Sequence, residues 1–187
     1  MTGPVVGIDP SLTAAGIAVI RPPVGNPPRD APEAVSVGTK GQSGAPVAVR
    51  AARIHDQTVR ILHTMPADTR LVVIEALPPQ IPGAHGMHAE RAALWWQLVA
   101  YLSRQAIPVA EVAPTTLKKW ATGHGRATKS QVVAAMRALW PHTTIRDDNQ
   151  ADALALATIG AQRIGWHTPA HDHHHTPNIT WPEGAAS

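Results

Sequence analysis

Residues 5–20 read Val5-Val6-Gly7-Ile8-Asp9-Pro10-Ser11-Leu12-Thr13-Ala14-Ala15-Gly16-Ile17-Ala18-Val19-Ile20. Two β-rich apolar runs flank a short polar turn, and the first run ends on a carboxylate. This spacing predicts a β-hairpin with Asp9 at the end of its first strand. A plain turn-shaping role is also open to an Asp that precedes a proline.

Working outward, Pro22 to Pro32 is rich in Pro and Gly and separates the hairpin from a third candidate strand around Ala34 to Gly38. The hairpin is thereby extended into an antiparallel meander. Ala45 to Met65 has helical composition, with apolar positions at Val49, Ala52, Ile54, Val59 and Leu62. Leu71-Val72-Val73-Ile74 is the continuous apolar run of a buried central strand, and it ends on Glu75. After a proline-rich loop, Met87 to Arg104 aligns Leu94, Leu98 and Leu102 on one helical face. Pro108 to Val112 is a further short strand, and Pro114 opens a helical turn. Thr128 is the expected N-cap of a helix through Leu139, and an Ala-rich helix follows Asp147-Asp148-Asn149 to about Ile164. The order predicts an α/β fold whose sheet starts antiparallel, continues parallel and is flanked by helices.

Composition sets bounds on function. The chain has 187 residues, enough for one domain with a single core. We expect that domain to occupy residues 1–165 and residues 166–187 to form a disordered, His-rich tail, since His171-Asp172-His173-His174-His175 lies amid Pro, Thr and Gly. Imidazole being a good ligand, metal binding is the competing role for that run. No apolar run approaches the roughly 18 residues that span a bilayer. Met1 to Asp9 lacks the basic-then-apolar pattern of a signal peptide, so a cytoplasmic location and no membrane association are expected. There is no cysteine, which excludes disulfides and thiolate metal sites and leaves oxygen or imidazole as ligands. A net charge of +3 and a pI near 9.8 suit a polyanionic partner without requiring one.

Three acidic elements stand out by position. Asp9 and Glu75 each end an apolar strand, and strand ends hold reactive groups both rigid and accessible. Asp152 lies near the start of the last helix, with Asp148 and Asn149 at i−4 and i−3 and so on the same face. Each has an ordinary alternative: Asp148 or Asn149 as an N-cap, Glu75 as a solvated strand end. Asp152, between Ala and Leu residues, has less structural reason to be there. Together, converging carboxylates repel unless divalent cations neutralise them, and oxygen-only ligation selects Mg²⁺ or Mn²⁺. Two such ions roughly 4 Å apart serve phosphodiester hydrolysis.

At this point the sequence resembles a family. Residues 7–20 are similar to the opening hairpin of RuvC-type Holliday junction resolvases, and Val73-Ile74-Glu75 resembles their second acidic strand. Lys118-Lys119-Trp120-Ala121-Thr122-Gly123-His124-Gly125-Arg126-Ala127-Thr128-Lys129-Ser130-Gln131-Val132 resembles their basic segment, and Ala151-Asp152-Ala153-Leu154-Ala155 their final acidic helix. The four matches run in the family's order over about residues 3 to 165. The resemblance implies an RNase H-like fold with a mixed five-stranded sheet, its first three strands antiparallel and the fourth and fifth parallel. It implies a homodimeric endonuclease that uses two Mg²⁺ or Mn²⁺ ions to nick four-way DNA junctions. By position, Asp9, Glu75 and Asp152 match its metal-binding acids, and Lys118 and Lys129 its lysines near the scissile phosphate. Lys119, Arg126 and Arg91 join them as expected phosphate contacts.

Two departures carry weight. The family's fourth ligand, usually Asp or His three residues before the last Asp, is here Asn149, with Asp148 one residue further. We expect Asp148 to ligate, with Asn149 as the other candidate, since an amide oxygen binds a hard cation more weakly than a carboxylate. This departure resembles RuvC-like proteins of bacteriophages. The second is Pro78, where the family often has an aromatic wedge, which leaves Leu77, Ile81 or another element to open the junction. Trp95 and Trp96 lie on the family's dimer-contact helix, about 100° apart around it, so one faces the core and the other a partner, or both are core.

Fold alone does not fix function. A nuclease for flaps, forks or RNA–DNA hybrids would present the same active site. A junction-binding protein without catalysis is the reading that Asn149 keeps open. Actin-like and sugar-kinase ATPases begin with a similar hairpin, but they need a second phosphate-binding hairpin and about twice this length.

Overall fold

The computed structural model describes residues 3–23, 31–77 and 88–185. Five strands, β1 (Val5–Asp9), β2 (Ala15–Ile20), β3 (Glu33–Val37), β4 (Leu71–Glu75) and β5 (Val109–Val112), form one sheet in the order β3-β2-β1-β4-β5. β2 runs antiparallel to β1 and β3, while β4 is parallel to β1 and β5 parallel to β4. The expected mixed sheet is therefore present. The helices are α1 (Val47–Thr64), α2 (His88–Arg104), α3 (Pro114–Thr122), α4 (Lys129–Leu139) and α5 (Asp148–Arg163).

Alternation along the central strands sorts the core into two layers. Val6, Ile8, Val72 and Ile74 pack with Ile54 and Ile61 of α1 and with Leu94, Leu98 and Leu102 of α2. Val5, Val73 and Ala110 face the other way, onto α3, α4 and the Ala-rich α5. Small residues let α5 come down onto the sheet. A Cβ on Gly7 would lie 2.0 Å from the Ala153 carbonyl oxygen, and one on Gly16 would lie 1.9 Å from that of Asn149. This close approach brings the acidic first turn of α5 beside the end of β1.

Local chemistry fixes the helix starts. Thr128 accepts from the Gln131 N–H while the Gln131 side chain accepts from the Thr128 N–H, a capping box that opens α4 at the expected residue. α5 is capped by Asp147, whose carboxylate accepts the Gln150 N–H at 2.8 Å and the Ser36 hydroxyl. Neither Asp148 nor Asn149 is the cap, so both side chains are free for other partners.

The segment after Gly165 departs from the expected disordered tail. Trp166, Ile179 and Trp181 pack against the α5 side of the core, and His174 is 2% exposed. His174 stacks on Trp120 with ring centroids 4.6 Å apart, and its carbonyl accepts from Gln162 Nε2. Polar composition dominates this stretch, but three spaced apolar side chains suffice to dock it, without any secondary-structure period to reveal them. Among the described residues, no helix is long and apolar enough to cross a membrane.

Candidate metal centre

The strand ends and the start of α5 enclose a cleft of about 310 Å³, lined by Asp9, Glu75, Asp152, Asn149, Lys118, Lys129 and Arg91. Asp9 ends β1, the strand at the centre of the sheet, and is buried. Its turn is tied down on both sides. The Ser11 hydroxyl accepts from the Thr13 and Ala14 N–H groups, and Gln57 Nε2 donates to the Ser11 and Val37 carbonyls, each at 2.9 Å. Glu75 ends β4 on the neighbouring parallel strand. Asp152 comes from α5, held at short range by the glycine contacts described above.

Electrostatics mark these acids as mutually strained. Burial first, and then the Glu75 carboxylate, push the Asp9 carboxyl far above its ordinary range. Glu75 is likewise raised, by burial and then by Asp152. Asp152 is pushed up to about 7, again by burial first and then by Asp9. A buried set of oxygens holding protons near neutral pH is a set that a hard divalent cation would discharge. The donors thus fit Mg²⁺ or Mn²⁺, with Asn149 adding a neutral amide oxygen. Among the described residues, no three His, Cys, Asp or Glu side chains are already arranged around one ion position.

The basic residues separate into two groups. Lys118 and Lys129 face the acids and pull their proton affinities down, while Arg91 stands at the cleft wall. Lys119 and Arg126 are exposed and do not line the cleft. Lys129 forms an ion pair with Asp148. That hydrogen bond holds the Asp148 carboxyl below, and the Lys129 ammonium above, their ordinary values. Asp148, expected as the fourth ligand, is therefore engaged with Lys129 outside the cleft lining, and Asn149 is the residue that lines it.

Sequence reasoning raised Trp95 only as a question of core or interface. It is buried, lines the cleft and donates its indole N–H to the Glu75 carbonyl at 2.9 Å. Trp96 is 61% exposed and meets the Trp95 ring edge-on. Leu77 lines the cleft, whereas Pro78 and Ile81 fall outside the described residues.

The sequence model of the family described as "Crossover junction endodeoxyribonuclease RuvC" matches residues 5–159. A protein of that name from Chelativorans sp. (strain BNC1) is 33% identical over 165 residues, covering 86% of this chain and 91% of the relative. Another from Rhizobium etli is 29% identical over 166 residues, covering 87% and 92%. Among solved structures, Thermus thermophilus RuvC is similar with a TM-score of 0.56 and 24% identity, covering 82% of this chain and 90% of that one. T. thermophilus RuvC in complex with Holliday junction substrate gives a TM-score of 0.59 at 23% identity, covering 83% and 90%. Both likenesses concern the fold.

Proposed function

This chain belongs to the RuvC family of crossover junction endodeoxyribonucleases, and from that premise we propose that its acidic cleft hydrolyses phosphodiesters at four-way (Holliday) DNA junctions. The carrying observation is the meeting of Asp9, Glu75 and Asp152 with Lys118 and Lys129 in one cleft, where burial and the neighbouring carboxylates raise the pKa of all three acids. Asp9, Glu75 and Asp152 would hold two Mg²⁺ ions, or Mn²⁺ in their place, with the Asn149 amide oxygen beside them. Such ions supply a water-derived nucleophile and neutralise the leaving oxygen.

The remaining roles belong to the chain's own side chains. Lys118 and Lys129 stabilise negative charge developing at the phosphate, and Asp148 holds Lys129 in place rather than ligating. Arg91, Lys119 and Arg126 bind phosphates along the arms and make affinity fall with salt. Two copies act together, joined through the α2 face that exposes Trp96, so that two strands of one junction are nicked symmetrically. Leu77, at the cleft, is the described residue placed to enter the branch point. The nuclease domain spans residues 1–165, with the following segment docked on it, and the protein acts where cellular DNA is, in the cytoplasm.

The test is cleavage of a synthetic four-way junction beside matched duplex, flap and RNA–DNA hybrid, in Mg²⁺ or Mn²⁺, with wild type and Asp152→Asn. Paired symmetric nicks in the junction, absent in the variant, are expected. Cutting of flaps or hybrids in preference to junctions would overturn the substrate and leave the site. Junction binding without cleavage in either metal would overturn the nuclease reading.

A further inference from the structure

The end of β4 leaves one carbonyl without a ladder partner. The Val72 N–H donates to the Pro108 carbonyl at 2.9 Å and the Ala76 N–H to the Val112 carbonyl at 2.8 Å, so the even-numbered residues of β4 face β5. Backbone groups alternate sides along a strand, so Val73 and Glu75 face β1. In the register set by Gly7↔Val73, the Val73 carbonyl meets the Ile8 N–H. Continued past its last pair, Ile8↔Ile74, the same register would bring the Glu75 carbonyl to position 10. Residue 10 is proline, which has no N–H to give.

The missing donor is replaced from another element. Trp95, about two turns into α2, directs its indole Nε1 onto the Glu75 carbonyl at 2.9 Å. The residue is 7% exposed and its ring meets Trp96 edge-on at 4.8 Å, so burial leaves it little freedom to turn away. A carbonyl fixed in direction fixes the backbone frame at Glu75, and with it the direction in which the Glu75 side chain leaves the strand.

We propose that Trp95 is a positioning residue for the metal centre: its indole N–H substitutes for the backbone donor that Pro10 lacks and so aims the Glu75 carboxylate into the cleft. The proposal rests on the reading of Glu75 as a metal ligand. Trp95 acts on the centre through Glu75 and touches no ion itself. Groups that orient a ligand from behind change metal affinity by about 10–100-fold when removed, and a wall that only fills space does not.

The experiment is a double-mutant cycle read as Mn²⁺ affinity without DNA, by titration calorimetry on the full-length protein. Trp95→Phe keeps an apolar ring and removes the donor, and it is expected to weaken Mn²⁺ binding about tenfold. Glu75→Gln is expected to weaken it at least as much, and the double variant to bind no more weakly than Glu75→Gln alone, because Trp95 works through that side chain. If Trp95→Phe fails to fold, benzothienylalanine at position 95 keeps the indole shape with sulfur in place of N–H, and the same weakening is expected. Wild-type affinity in the Trp95 variant, beside a weakened Glu75→Gln, would overturn the proposal and leave Glu75 a ligand. Wild-type affinity in Glu75→Gln would remove the ligand reading and the proposal with it. Additive losses in the double variant would also overturn it, since Trp95 would then act independently of Glu75.

Discussion

Asp152→Asn should make the metal-free protein more stable at pH 8 while abolishing cleavage. In the folded chain the Asp152 carboxyl is raised from 3.8 to about 7, by burial and by the nearby Asp9 carboxylate. The folded state therefore holds a proton that the unfolded chain releases, and stability falls as pH climbs from about 4 to about 7 before levelling off. A rise of three pH units corresponds to ~4 kcal/mol once the group is ionised in both states, at 1.36 kcal/mol per unit. Asp9 and Glu75 share this strain and the site relaxes, so a net gain of ~2 kcal/mol is the realistic expectation, or about 4–8 °C in melting temperature for a chain of this size. The assay is thermal unfolding in EDTA at pH 4 and pH 8. The gain should be small at pH 4, where the wild-type carboxyl is protonated in the folded state and only about half ionised in the unfolded one, and full at pH 8. Mg²⁺ should reverse the ranking, because an ion at a hundred times its Kd stabilises the wild type by ~2.7 kcal/mol. An Asn variant less stable than wild type in EDTA at pH 8, or a difference independent of pH, would refute the electrostatic account of the cleft.

Gly7→Ala should destabilise the fold by about 1–3 kcal/mol or more in urea unfolding, because its Cβ would lie 2.0 Å from the Ala153 carbonyl oxygen and 2.5 Å from the Ala157 nitrogen. Lys129→Met should lower kcat on junctions by about a hundredfold, the scale for losing one group that stabilises transition-state charge. Asp148→Asn, which only frees Lys129, should leave Mn²⁺ affinity within about threefold, and a loss of the size seen for a carboxylate ligand would restore Asp148 to the metal. If two copies pair through α2 as proposed, Trp96→Glu should leave only monomer in sedimentation with circular dichroism unchanged, because a charge replaces an aromatic that is 61% exposed on that face. Asn149→Asp should tighten Mn²⁺ binding and lower the metal-free melting temperature at pH 8, since a fourth carboxylate adds both a stronger ligand and more repulsion.

The fold was legible because its strands are short apolar runs with sharp ends. Leu71 to Glu75 and the hairpin from Val5 to Ile20 announce both the pairing and the acids at their tips. Thr128 and Gln131 announce a helix start by their three-residue spacing. What the sequence leaves hidden are interactions across long separations. Nothing local says that Ser36 meets Asp147, that Trp95 reaches back to Glu75, or that Gly7 and Gly16 are the positions where α5 presses on the sheet. The last segment failed for a related reason. Trp166, Ile179 and Trp181 are spaced for a surface that sequence alone does not display, so composition outweighed them.

The positions of Asp148 and Asn149 show why spacing alone does not place a side chain in the cleft. Positions three and four residues before Asp152 share its helical face, and by charge Asp148 is the better donor. Asp147, however, takes the cap by accepting the Gln150 N–H, which sets where the helix begins and which way the next two side chains leave it. Asp148 then meets Lys129 at the start of α4, whose own position is fixed by the Thr128 capping box. Asn149 is left on the cleft wall with Asp9, Glu75 and Asp152. Three carboxylates already raise one another's proton affinity there, and an amide at the fourth position brings an oxygen without a further charge. The acid next door instead pairs with Lys129. Two helix caps, each outside the cleft, thus set which residue lines the proposed metal site and which pairs with the lysine.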